Sequence, residues 1–193
     1  ATTGVTNLTT TQIAAMKATQ VRGLTQDQIA ALTTSQIAAL STTAMASLSA
    51  TQVSALSVAQ LNALRPSQIS ALSTLGISGL TTTSVGALSA DQIGALAASQ
   101  VRAFSEAQVE ALRPQQIGLL AETQIAAFST SAIKGLSADD IAALTTTQVG
   151  ALVATQASAL VDTQIEAFSD TQIANLTTTA ISGFKNTQIA SFT

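Results

Sequence analysis

Two pairs of carboxylates are the residues of this chain whose type and spacing could do chemistry. Asp139 and Asp140 are adjacent, and Glu106 and Glu110 lie four residues apart, which places both on one face of a helix. Paired carboxylates can share general acid and base roles or contribute ligands to a cation site. A single pair, however, supplies fewer oxygen ligands than calcium requires.

The composition lacks the other groups that catalysis commonly uses. The 193-residue chain contains no His and no Cys, so a Ser–His or Cys–His nucleophile cannot form and zinc would depend on carboxylates alone. Its ten glycines are scattered and form no phosphate-binding loop. We therefore expect no catalytic, cofactor-binding or metal-binding residues, and a protein that is not an enzyme. The carboxylate pairs are better explained by favourable charge near helix N-termini or by a solvated helix face.

The charge and hydropathy patterns disfavour two further classes of partner. The formal net charge is only −3, and the seven Lys and Arg residues are dispersed along the chain, so no basic stripe for nucleic acid forms. A membrane-spanning helix needs about 20 mostly apolar residues in a row, whereas Ser, Thr or Gln interrupts this chain every few positions. We expect neither a nucleic-acid partner nor a membrane span.

The elements that must position all of these residues come from an eight-residue repeat. The pattern L-[ST]-x-x-Q-[IV]-x-A, seen for example from Leu24, recurs throughout residues 8–192, and residues 1–7 form a degenerate first repeat. All 24 first positions are large and apolar, and they include all five Phe residues, which predicts core filling. The sixth position is Ile or Val in most repeats, and the last is almost always Ala, Gly or Ser, which predicts close backbone approach there.

Each repeat also carries a signal that starts a helix. In a capping box, the hydroxyl of Thr25 accepts from the backbone N–H of Gln28, whose side chain reaches back to the N–H of Thr25. Six repeats lack this Gln and eight lack the Ser or Thr, but no repeat lacks both. The pattern indicates that either half of the box suffices to start a helix.

These signals predict an all-α fold, an α-solenoid with one very short helix per repeat, extending over residues 1–193. One continuous helix is excluded because its apolar stripe would drift by about 80° per repeat. A helix of about six residues is unstable alone, so its stability must come from stacking. Coils of two repeats and coils of three are both possible. We expect two, because two layers bury the Leu and Ile rows in one seam.

The repeat unit resembles the octapeptide tandem-repeat regions of large bacterial secreted or surface proteins. The resemblance covers residues 8–192 and rests on the L-[ST]-x-x-Q-[IV]-x-A unit. It implies a tightly wound α-solenoid and an extracellular or cell-surface location, and it implies no activity for particular residues.

Two functions are therefore expected. The first is a structural rod that acts as a spacer, stalk or scaffold segment. The second is a binding module whose regular Thr- and Ser-rich face, including runs such as Thr9 to Thr11, engages a protein, a glycan or ice. If the second is correct, irregular apolar positions should cluster on one face, and the candidates are Leu75, Leu119, Val153 and Val161. Uncovered solenoid ends or sides also predict a homo-oligomer.

Overall fold

The computed structural model describes residues 3–192 and confirms an all-α solenoid. This part of the chain contains 23 α-helices of four to six residues, one 3-10 helix (Ala132–Gly135) and no strand. Ala1, Thr2 and Thr193 lie outside the described residues. Helix α1 lies within the degenerate first repeat. The α-helices are α1 (Thr3–Thr6), α2 (Thr10–Ala14), α3 (Ala18–Arg22), α4 (Gln26–Ala31), α5 (Thr34–Ala39), α6 (Thr42–Ala46), α7 (Ala50–Ser54), α8 (Val58–Asn62), α9 (Pro66–Ala71), α10 (Thr74–Ser78), α11 (Thr82–Gly86), α12 (Ala90–Gly94), α13 (Ala98–Arg102), α14 (Glu106–Glu110), α15 (Pro114–Gly118), α16 (Glu122–Ile125), α17 (Ala138–Ala143), α18 (Thr146–Gly150), α19 (Ala154–Ala157), α20 (Asp162–Ile165), α21 (Asp170–Ala174), α22 (Thr178–Gly183) and α23 (Asn186–Ile189).

The helices start where the capping box predicts. In α4, the N–H of Gln28 donates to the hydroxyl of Thr25 at 3.2 Å, and the N–H of Thr25 donates to Oε1 of Gln28 at 2.9 Å. Helix α13 begins with the Gln half alone, because Ala97 has no hydroxyl. Helix α6 begins with the hydroxyl of Ser41 alone. Either half of the box is therefore sufficient, as the sequence indicated.

The number of repeats per coil differs from the expectation. The described chain divides into two compact units, which meet between Leu96 and Ala97. Within the first unit α1 packs against α4 and α2 against α5, and within the second α13 packs against α16. Each helix thus stacks on the helix three elements away, so one coil contains three repeats and 24 residues. The prediction of two repeats per coil is therefore wrong. A three-sided coil encloses the apolar rows on every side, whereas two layers would bury them in one seam.

The core lies inside these three-sided coils. The Ile and Val row points inward and is almost fully buried, with Ile29, Ile69 and Ile117 at 0% exposure. The first-position row fills the corners, where Leu40, Leu88 and similar residues are also buried. Phe104, Phe128, Phe168 and Phe184 are buried, and Phe192 is half-buried with its ring edge-to-face against Phe184 at 5.2 Å. The predicted core role of the Phe residues is confirmed.

The small residues at the repeat ends allow close backbone contact between coils. At Gly79 a Cβ atom would lie 2.6 Å from the carbonyl carbon of Ala50, in the helix one coil below. This contact confirms the approach that the small-residue row predicted. None of the helices in residues 3–192 is long and apolar enough to cross a membrane.

Candidate functional site

The site that recurs along the structure is the glutamine at the third helical position, together with the groups that its amide joins. Its first contact is local and was predicted. In the helices that carry this residue, Oε1 accepts the backbone N–H of the cap residue, at 2.8 Å for Thr145 and Gln148 and 3.1 Å for Val153 and Gln156. This bond pairs one of the N–H groups that a helix start leaves without an intrahelical partner.

Its second contact is long-range and was not predicted. The Nε2 of Gln148 donates to the carbonyl of Leu120 at 2.7 Å and to the carbonyl of Ile117 at 2.9 Å, which lie 28 and 31 residues earlier. Those carbonyls are at the corner and the helix end of the coil below, where helix ends leave carbonyl acceptors available. The carbonyl of Ile117 also accepts the backbone N–H of Leu120 at 3.1 Å. The corner bond measures 2.7–3.0 Å for Gln36, Gln52, Gln60, Gln68, Gln92, Gln148, Gln156, Gln164, Gln172 and Gln188.

The glutamine amide therefore joins two chain segments at one buried point, its own helix start and the corner of the coil below. Gln148 is 3% exposed and Gln164 is 1% exposed, so their amides are removed from water. A buried amide is tolerated because both its oxygen and its nitrogen are paired. One side chain starts its own helix and ties that helix to the coil beneath it.

A signal for this second role was present in the sequence. The capping box accepts Glu as readily as Gln, and the helix dipole favours Glu at that position. Nevertheless Gln occupies 17 of the 23 positions from residue 12 to residue 188, and Glu occupies none. Only Gln offers a donor. The exclusion of Glu therefore indicates that the N–H groups of the amide are used.

Asp140 is the one carboxylate at this position, and it shows what the amide supplies. Its Oδ2 accepts from the N–H and the hydroxyl of Ser137, at 2.8 and 2.7 Å. Its Oδ1 is buried and has no hydrogen-bond partner among the described residues. Burial raises the pKa of Asp140, the bonds from Ser137 lower it, and the charge of Asp139 raises it further.

The raised pKa of Asp140 has a consequence for stability. Because the folded state holds this proton more tightly than the unfolded state does, the contribution of Asp140 to stability is greatest at low pH. That contribution is lost as the pH rises through the raised pKa.

Where the glutamine is replaced by an apolar or small residue, the coils meet in a second way. The four repeats with Ala44, Gly76, Ala132 or Ala180 in its place end in Ser47, Gly79, Gly135 or Gly183. The hydroxyl of Ser47 donates to the carbonyl of Ala18 in the helix below, and the three glycines touch backbone there directly. Where a polar residue, Ser84 or Asp140, replaces the glutamine, the repeat ends in Ala. Three of the four repeats with an apolar or small replacement therefore end in Gly, whereas only one of the 17 glutamine repeats does, at Gly23.

The carboxylate pairs are not gathered into a site. Asp139 is exposed while Asp140 is buried against its own helix start. Glu106 and Glu110 are both exposed, at the two ends of α14. Among the described residues no group of three or more acidic, His or Cys residues could hold a metal ion.

The predicted surface features are dispersed as well. Leu75, Leu119, Val153 and Val161 are 63, 50, 37 and 43% exposed, but Leu75 belongs to the first unit and the other three belong to three different helices or caps of the second. Hydroxyls of the Thr runs also take part in capping: that of Thr145 accepts from the N–H of Gln148 at 3.2 Å and lies 3.0 Å from the hydroxyl of Thr147. The four apolar side chains thus lie in four different repeats.

The stacked three-helix coils and the inter-coil amides define the chain as a tandem-repeat α-solenoid. The family model of the ALTTAQ repeat matches residues 5–42 and residues 119–154, one stretch in each compact unit. Both stretches carry the octapeptide, so the chain is similar to this repeat family over those residues. No curated protein matches the chain.

Proposed function

We propose that the chain is a spacer or scaffold segment of a bacterial surface or secreted protein. The observation that supports this role is the repeated hydrogen bonding of glutamine side-chain amides between coils. The Nε2 of Gln164, for example, donates to the carbonyls of Leu136 and Ile133 of the coil below at 2.7 and 2.9 Å. Such hydrogen bonds oppose both sliding and separation of neighbouring coils, and a spacer under tension needs this resistance. The outward surface carries few charges, and a spacer needs no chemistry there.

A non-enzymatic role is part of the same proposal. The residue types that supply most nucleophiles and bases, His and Cys, are absent from the sequence. The location outside the cell rests on the resemblance of the repeat unit alone. Expression of the parent protein with antibody labelling of intact cells tests it, and labelling only after lysis would contradict it.

The spacer role is tested by changing the number of coils. Duplicating residues 137–160 adds one 24-residue coil inside the second unit and keeps the repeat register. We expect the longest dimension measured by small-angle X-ray scattering to increase by about 8–10 Å, the spacing of packed helices. A duplication of 20 residues breaks the register and serves as the control, which should lose helical signal. An unchanged dimension in the well-folded duplication would contradict a spacer.

Self-association is the proposed partnership. In the first coil Gln12 and Gln20 are exposed, and their amides have no coil below them within residues 3–192. In the last coil Ile181 and Ile189 are 39 and 43% exposed and Ile173 is half-buried, whereas the same row is buried from Val5 to Ile165. Where these two faces end the array, the glutamine donors of one copy can bond the corner carbonyls of another as they do between coils, which favours head-to-tail stacking of copies.

Light scattering over a range of concentrations tests this partnership. We expect the average mass to rise with concentration, and Gln12→Glu combined with Gln20→Glu should weaken the rise because it removes both donors. A strictly monomeric chain at high concentration would exclude the proposal.

Binding of a glycan or a protein is the second candidate function. One surface feature favours it, a groove lined by hydroxyls and two lysines between the 3-10 helix and α19.

A further inference from the structure

The groove between the 3-10 helix and α19 arises from uneven packing along one side of the second unit. The 3-10 helix packs closely against α14 below it. Gly135 permits this contact, because a Cβ there would lie only 3.0 Å from the backbone N of Glu110. Helix α19 packs closely on the opposite side, against α22. The absence of a side chain at Gly183 permits this contact, since a Cβ there would lie 2.6 Å from the carbonyl carbon of Ala154.

The two close contacts leave the 3-10 helix and α19 apart from each other. The space between them is a groove of about 430 Å³, which lies within the range of small-molecule sites in proteins. It is the two glycine contacts, rather than a missing side chain, that open it. We call it the Lys134–Lys185 groove.

The lining of this groove is basic and rich in hydroxyls. It contains two of the seven cations of the chain, although the net charge of the whole chain is −3. Lys134 comes from the 3-10 helix and Lys185 from the corner before α23, one coil further along. Residues 3–192 contain no ion pair for either lysine. The lining residues with polar side chains are Thr130, Ser131, Lys134, Thr155, Ser158 and Lys185.

We propose that the Lys134–Lys185 groove binds an acidic sugar. Two ammonium groups supply charge-assisted bonds to an oxyanion. The groove also contains four hydroxyls, a type of group that can both donate and accept, which suits the hydroxyls of a sugar ring. The hydroxyl of Ser158 donates to the carbonyl of Thr155 at 2.9 Å and therefore faces the groove as an acceptor. The volume exceeds that of a bare oxyanion, and no aromatic ring lines the groove for a nucleobase to stack on. The site goes beyond the spacer role and does not depend on it.

A titration of the ¹⁵N-labelled chain followed by NMR tests the proposal. Glucuronate and glucose 6-phosphate distinguish a carboxylate from a phosphate, while glucose and sodium sulfate present the ring and the ion alone. We expect saturable shifts at Thr130, Ser131, Thr155 and Ser158 with at least one acidic sugar at millimolar concentrations, and weaker binding of glucose and of sulfate. If neither acidic sugar gives saturable shifts, or if glucose binds as tightly as the acidic sugars, the proposal is wrong. If sulfate binds as tightly as the acidic sugars, the groove binds an oxyanion and does not recognise the sugar.

Matched lysine and arginine variants locate the binding. Lys134→Gln and Lys185→Gln should each weaken binding roughly threefold, and together about tenfold, as expected for exposed charge pairs. The controls are Arg102→Gln and Lys17→Gln, which share the repeat positions of Lys134 and Lys185 but lie outside the groove. The controls should bind as the parent chain does. If all four variants weaken binding equally, general charge attraction explains it. If the groove variants change only the melting temperature, the lysines serve the helix ends and the proposal is wrong.

Discussion

Replacing Gln148 by Glu separates the two roles of the inter-coil glutamine. Glu keeps the length of the side chain and one oxygen that can accept the N–H of Thr145, which Gln148 now accepts at 2.8 Å. It removes the Nε2 that donates to Ile117 and Leu120 at 2.9 and 2.7 Å. A carboxylate oxygen would then face two carbonyl oxygens at a position that is 3% exposed.

The expected loss follows from those two bonds. Each contributes about 1 kcal/mol of net stability, and a buried carboxylate oxygen without a donor adds about 1 kcal/mol or more. Gln148→Glu should therefore lower the free energy of unfolding by about 3 kcal/mol at neutral pH. Acidification should recover part of the loss, because the protonated acid can donate again and the folded state holds that proton more tightly than the unfolded state.

Gln12→Glu is a matched control for this variant. Residues 9–12 and residues 145–148 have the same sequence, TTTQ, and both form a complete capping box. Gln12 is exposed and has no coil below it among the described residues, so its replacement removes no inter-coil bond. We expect a change within about 0.5 kcal/mol, with no recovery on acidification.

Urea denaturation followed by far-UV circular dichroism, at neutral and mildly acidic pH and low protein concentration, measures both variants. Hydrogen exchange at the amides of Ile13 and Val149 reports the local effect, in case the first coil frays before the rest. Equal changes for the two variants, or a Gln148→Glu variant that is no more stable in acid, would show that the glutamine acts only as a helix cap.

Three further predictions follow from single contacts. Asp140→Gln supplies the missing amide, so it should raise the free energy of unfolding by about 1–2 kcal/mol at neutral pH, and by less in acid, where Asp140 is protonated. Gly135→Ala should lower the free energy of unfolding by about 1–3 kcal/mol, because the new Cβ meets the backbone of Glu106. Gly94→Ala, whose Cβ would have no atom within 4 Å, should raise the free energy of unfolding by about 0.5–1 kcal/mol. Leu75→Gln should change it by less than about 0.5 kcal/mol, because Leu75 is 63% exposed; all three are measured by urea denaturation.

The sequence was sufficient for the parts of the fold that one repeat contains. The start of each helix depends only on groups within one eight-residue repeat. The buried Ile and Leu rows and the small residue at each helix end are visible because the same residue type recurs at the same position of successive repeats. Thr25 and Gln28 illustrate the first case, because the box they form is complete inside one repeat. The burial of Phe104 in the Leu row illustrates the second.

The sequence was insufficient for the number of repeats in a coil. Every corner has the same composition, so no position marks the third repeat, and the angle through which a corner turns the chain is a tertiary property. The partner of the glutamine amide depends on that angle, since the carbonyl 28 residues earlier lies beneath Gln148 only when three helices close a coil. The exclusion of Glu from this position indicated a donor role but could not identify the acceptor.

Ala132→Gln tests whether the amide and the small terminal residue are alternative ways to join coils. Ala132 is fully buried in the repeat that ends in Gly135, whose backbone lies against the helix below. A glutamine at residue 132 would need space that this close contact removes, so we expect Ala132→Gln to lower the free energy of unfolding by about 1–3 kcal/mol.

The repeat of Asp140 ends in Ala143 rather than in Gly. Asp140 already accepts the N–H of Ser137 as a glutamine would, so the same residue should stabilise the protein there. Urea denaturation of Ala132→Gln and Asp140→Gln compares the same introduced side chain in a repeat that ends in Gly135 and in one that ends in Ala143. If Ala132→Gln stabilises the chain as much as Asp140→Gln does, the terminal residue does not determine the spacing between coils. Opposite signs would mean that a glutamine and a closely packed terminal Gly exclude each other within one repeat, which explains why Gly76, Ala132 and Ala180 stand in place of the glutamine in the repeats that end in Gly79, Gly135 and Gly183.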